Sequence, residues 1–156
     1  MKKVILIVVL GIFSSTVFGQ NKKDKDESGP KKEIEAPDVV ENAFKKEFPG
    51  IKAVTWDQEN GEYEAEFKLN GCDASATYDK TGHKKEVEIA IVKKEIPANI
   101  LAYIEEQYPD YFLTNAAKIT NDKGIIIYEA EIGKSNTFYD VLFDSTGNFI
   151  KMVEGD

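Results

Sequence analysis

Residues 62–69 read EYEAEFKL, with Tyr63, Ala65, Phe67 and Leu69 alternating against Glu62, Glu64, Glu66 and Lys68. A period of two predicts a strand with one side in a core and the other facing water. Asn70-Gly71 is a tight-hairpin dipeptide, so residues 72–78 should return antiparallel beside it. Asp79-Lys80-Thr81-Gly82 turns the chain again, with glycine taking the positive φ of such turns, and residues 83–91 supply a further strand. Upstream, Val40, Phe44 and Phe48 recur every fourth position, which predicts a helix with one apolar face. Pro37 suits the first helical position and Pro49 ends the helix. A short strand near residues 52–56 completes an α-β-β-β-β unit.

The unit then repeats. PDVVENAFKKEFP at Pro37 is answered by PANILAYIEEQYP at Pro97, an offset of 60 residues. GEYEAEF and YDKTG are answered by IYEAEI and FDSTG at an offset of 65, so five residues are gained in the second copy. No third copy follows, which marks a duplication and not a solenoid. The predicted fold is α+β: two tandem α-β-β-β-β repeats, residues 36–92 and 96–154, forming one antiparallel sheet. Two amphipathic helices can pack on only one of its faces.

Aligned positions should face the same way. Cys72, Ala74, Ala76 and Tyr78 match Thr137, Tyr139, Val141 and Phe143, and form the inner set. The outer set is polar in the first copy, Asp73, Ser75 and Thr77, but partly apolar in the second: Phe138, Asp140 and Leu142, joined by Ile125 and Ile127. An exposed apolar patch ringed by Glu129, Glu131 and Asp140 is the pattern of a protein-binding surface. The partner-binding candidates are therefore Ile125, Ile127, Phe138, Asp140 and Leu142. Trp56 joins them with its side undetermined, because the repeat's gap falls nearby.

The first residues change the setting. Met1, Lys2 and Lys3, an apolar run over residues 4–13 and the small-residue pattern Val17-Phe18-Gly19 have the order of a cleaved secretory leader over residues 1–19. The run is interrupted by Gly11, Ser14 and Ser15, too short for a spanning helix, so a soluble periplasmic or secreted protein is expected, with no membrane insertion after cleavage. Residues 20–35, almost wholly charged or polar, form a linker that cannot bury enough surface to order itself. The whole chain carries 28 acidic and 20 basic residues, a net charge of −8; loss of Lys2 and Lys3 with the leader makes it −10. No basic stripe is available for nucleic acid. The single Cys72 cannot close an internal disulfide and reads as an inward strand residue, so stability rests on the core.

Candidate chemistry is sparse. His83 is the only histidine, which leaves no histidine triad or multi-histidine metal site. Asp79 and Asp144 lack the alternate oxygen ligands of a calcium loop and read as turn caps. The rows Glu62, Glu64, Glu66 and Glu129, Glu131 set carboxylates about 7 Å apart along a strand. They read first as a wet, solubilising face; an alternative is a small-ligand or calcium-binding envelope protein using these outer rows. No nucleophile elbow, zinc-protease, P-loop or dinucleotide motif occurs, so no enzyme, cofactor or metal is expected.

The proline-bounded helix, the YEAEF strand, the (Y/F)D-x-T-G turn and the duplication behind a leader resemble the PepSY-like, β-lactamase-inhibitor-protein-like family, over about residues 36–154. The resemblance implies a sheet covered by helices on one face and open on the other, used in better-known relatives to grip or restrain an enzyme such as a peptidase or a β-lactamase. Where that family places an aromatic after the turn, this chain has His83 and Asn148. Together these readings favour an exported, non-catalytic module that binds another extracytoplasmic protein and inhibits or regulates an enzyme such as a peptidase.

Overall fold

The computed structural model describes residues 34–155; the leader and most of the linker lie outside the described residues. The elements are α1 (Asp38–Glu47), β1 (Val54–Glu59), β2 (Glu62–Leu69), β3 (Cys72–Tyr78), β4 (Lys84–Ala90), α2 (Ala98–Gln107), β5 (Phe112–Asn121), β6 (Ile126–Lys134), β7 (Thr137–Asp144) and β8 (Phe149–Glu154). This is α-β-β-β-β twice, as the pattern predicts. The strands lie in sequence order in one sheet, and every pair is antiparallel, including β4 with β5 where the copies meet. Ile34, at the end of the expected linker, already engages the fold: its amide donates to the Trp56 carbonyl and its side chain packs on the first core.

Both helices begin one residue later than the prolines suggest. Pro37 and Pro97 stand just ahead of the first turn, where their carbonyls accept the first helical amide bonds. Each helix seats its apolar stripe on its own copy's strands, giving two cores. Val40 and Phe44 meet Trp56, Ala65, Phe67, Ala76 and Tyr78; Ile100 and Ile104 meet Ala116, Ala130, Ile132, Val141 and Phe143. Cys72 departs from its expected inward position. It has the parity of the helix side but lies at the first residue of β3, beyond the cover of α1, and is exposed.

The five extra residues lie inside a hairpin. Glu59 pairs with Glu62 across Asn60-Gly61, whereas the equivalent Ile119 pairs with Ile127 across residues 120–126. The offset of 60 therefore runs on through β5. Trp56 pairs with Ala65 as Ala116 pairs with Ala130, so Trp56 is the counterpart of Ala116. That register puts Trp56 on the helix side, where it is buried with its ring 5.6 Å from Phe44 and 6.3 Å from Tyr78. It is a core residue and not part of the outer surface.

The two turns are built alike. The Asp79 carboxylate accepts from the Thr81 amide, the Thr81 hydroxyl and the His83 amide; Asp144 accepts from the matching groups of Thr146 and Asn148. These bonds hold both carboxyls below their ordinary range, the threonine hydroxyl contributing most, which supports turn capping. Gly82 has φ +81°, and a Cβ there would stand 2.8 Å from the Val39 carbonyl oxygen of α1. Gly61 has φ +83° with open space around it. Gly82→Ala should therefore cost about 1–3 kcal/mol and exceed Gly61→Ala, measured by urea unfolding. Equal losses at the two glycines would show that α1 does not rest on the turn.

Candidate functional site

The face opposite the helices carries Asp57, Glu64, Thr77 and Glu86 side by side across β1–β4, then Ser75 and Glu88, then Ala117, Glu129 and Leu142 across β5–β7. Parity places Phe138, Asp140, Leu142 and Ile127 here, as the repeat predicts. Their depth differs from the expected exposed patch. Ile127 is 6% exposed, Leu142 0% and Asp140 4%, and Phe138 is half-buried, its ring lying over Gly133. Only Ile125, in the inserted hairpin, is exposed. Ile119, Ile127 and Leu142 form a third, small apolar cluster on this face.

The carboxylates are not a wet row either. Glu64 is 2% exposed, Glu88 6% and Glu129 8%, on a face that no helix covers. With no helix over them, these carboxylates are buried by the side chains of the same and adjoining strands. Burial pushes Glu86 up to about 7, with Glu62 and Glu64 adding repulsion. Burial likewise raises Glu129 to about 8, reinforced by Asp140, Glu131 and Glu86. Glu88 is held well above the carboxylate range by burial and then by Glu129, Glu64, Glu86 and Asp140. All the charges raising these three groups are other carboxylates. Glu88 on β4 lies opposite Ile119 on β5, and Ile119 opposite Ile127 on β6, whereas Glu129 lies opposite Ala117, whose β4 partner is Ala90.

The inserted hairpin builds one wall beside this line. Asn121 folds it by accepting from the Lys123 and Ile125 amides; Asp122 docks it on the first copy through its amide to the Lys85 carbonyl and its carboxylate to His83 at 3.2 Å. His83, expected as a solvated strand-start residue, is exposed and joins the two copies. Between the hairpin and the sheet lies a cleft of about 230 Å³, lined by Glu62, Thr77, Glu86, Ile119, Lys123 and Ile127 among others. Glu86 and Glu88 escaped the sequence reading, although their alternation with Val87 and Ile89 was a usable signal. Among the described residues, no three His, Cys, Asp or Glu side chains group so as to hold a metal ion.

Comparison with known proteins adds the following. The model of the PepSY-like family, described as β-lactamase-inhibitor-like, matches two overlapping segments, residues 25–83 and 61–151. A DUF2874 family protein from Bacteroides uniformis is 27% identical, with a TM-score of 0.70 over 76% of this chain and 89% of that one. A chain from Bacteroides eggerthii, described provisionally as a periplasmic protein, is 23% identical with a TM-score of 0.72 over 78% and 90%. A BLIP-like protein from Bacteroides fragilis is 18% identical with a TM-score of 0.64 over 79% and 91%. No curated protein matches the chain. Among the described residues no helix is long and apolar enough to cross a membrane. With one family model matching two overlapping segments that together span residues 25–151, and the same fold present in the solved structures, the chain belongs to the PepSY-like, β-lactamase-inhibitor-like family.

Proposed function

We propose that this protein is an exported, non-catalytic module that docks another extracytoplasmic protein on the uncovered face of its sheet, restraining an enzyme such as a peptidase. The carrying observation is that this face, free of helices across eight strands, holds buried carboxylates beside an apolar cluster. A monomer gains no stability from carboxylates buried among their own kind; a partner's surface gives them a use. The names of its structural neighbours, periplasmic and BLIP-like, agree with this setting and with an inhibitory mode. Phe138 and Asp140 lie at one end of the face and Ile125 at the cleft's rim.

The test is capture of envelope proteins on the immobilised chain. Phe138→Asp should remove the specific partner, whereas Glu105→Lys, exposed on α2, should retain it. Equal recovery by both variants, with circular dichroism unchanged, would overturn docking through this face. Adding the captured enzyme's substrate separates restraint from simple binding, since restraint lowers its turnover.

A further inference from the structure

We propose that the carboxylate line on the uncovered face receives the basic side chains of an extended lysine- or arginine-rich segment of the partner protein, with Glu129 as its central anchor. This rests on reading that face as a docking surface. The acidic residues alone would not carry it; the state of Glu129 does. It is 8% exposed, and its Oε2 is buried with no hydrogen-bond partner. Buried acceptors are nearly always satisfied, so an unpartnered one on a sheet face that no helix covers points to a donor from outside the chain. An ammonium or guanidinium head would supply the missing donor and the missing charge together.

The surroundings select the kind of cation. Ile119, Ile127 and Leu142 are buried beside the carboxylates, and next to them Ile125, exposed at the cleft, offers apolar surface to the alkyl stem of lysine or arginine, which a bare ion would leave unused. Along β6, Glu129 and Glu131 are two residues apart, about 7 Å, the spacing at which alternate side chains of an extended peptide point the same way. Among the described residues, the cations of this face sit at its margins: Lys85 and Lys123 at the cleft, Lys151 opposite Leu142 on β8, and Lys68, which is paired with Asp73. The centre of the line therefore meets a basic segment without competition from the lysines of the described residues.

The experiment is calorimetric titration of the purified protein with a blocked seven-residue peptide alternating lysine and alanine, with its glutamate counterpart and with calcium chloride. The lysine peptide should bind, the glutamate peptide should not, and Glu129→Gln should weaken lysine-peptide binding at least tenfold while Glu105→Gln leaves it unchanged. Equal affinity for wild type and Glu129→Gln, no binding of the lysine peptide, or binding of calcium alone would overturn the proposal. Circular dichroism confirms that the glutamine variant is folded. The two readings fail separately: if Phe138→Asp abolishes capture of the partner while Glu129→Gln binds the peptide as wild type does, the face docks protein but Glu129 is not its cation receptor.

Discussion

Phe44→Ala should lower the stability of the protein by about 3–5 kcal/mol, the largest loss available from one side chain in the first copy. Phe44 is 2% exposed, and its ring lies 5.0 Å from Phe67, 5.2 Å from Phe48 and 5.6 Å from Trp56. Truncation removes the buried area and three aromatic contacts at once. The cavity opens beneath α1, whose only other buried residue is Val40, so the helix cannot collapse to fill it from its own side. In the second copy the same position is Ile104, where truncation to Ala should cost less, about 2–4 kcal/mol. Urea unfolding followed by the fluorescence of Trp56, the only tryptophan, reads the first loss directly. A loss below about 1 kcal/mol at Phe44 would mean that α1 contributes little to the core.

The contrast between these two copies also shows what periodicity can and cannot convey. Alternation in EYEAEFKL and four-residue spacing in the helices report side, because side is a local property of backbone geometry. The hairpin-linked strands, both helices and the covered face were legible for that reason, whereas the pairing of β4 with β5 across the copies was not. Depth is different. Leu142 and Ile127 sit on the predicted side yet are buried, because depth is set by side chains on adjoining strands, which a local pattern does not report. Glu64 and Glu129 are likewise buried where alternation predicted solvated residues. Cys72 shows the converse: its inward parity is defeated by its place at a strand end that the helix does not reach. Trp56 stayed ambiguous because a gap can be placed anywhere between two matched blocks; pairing of Ile119 with Ile127 assigns it to the hairpin. That hairpin, the main structural difference between the copies, is also what walls the cleft.

Raising the pH from 5 to 9 should destabilise the protein, and Glu129→Gln should remove a large part of that loss. Glu129 keeps its proton in the folded state up to about 8 and Glu86 up to about 7, whereas an unfolded glutamate releases it near 4.3. Between these values the native state binds more protons than the unfolded one, so stability falls as pH rises, and levels off once the folded groups ionise. Glu88 adds to the slope in the same direction. Below pH 4 the sign reverses, because Asp79 and Asp144 have lowered folded values and their turn-capping bonds are lost as the carboxylates protonate. Greatest stability is therefore expected near pH 5. At that pH the buried Glu129 is already neutral, so replacing it by the isosteric, neutral Gln changes little. At pH 9 the substitution removes one of the mutually repelling charges and should stabilise by about 2–3 kcal/mol, read from melting temperature across the pH series. A stability that climbs from pH 5 to 8, or a glutamine variant equally destabilised at every pH, would show that the line of carboxylates is solvated or already compensated. If the slope is as expected, any cation that settles on this face must draw the protons off, and its binding will be tighter at pH 8 than at pH 5 and accompanied by proton release. The residues that make the free protein less stable in mild alkali are thus the ones that give it most to gain from a basic partner.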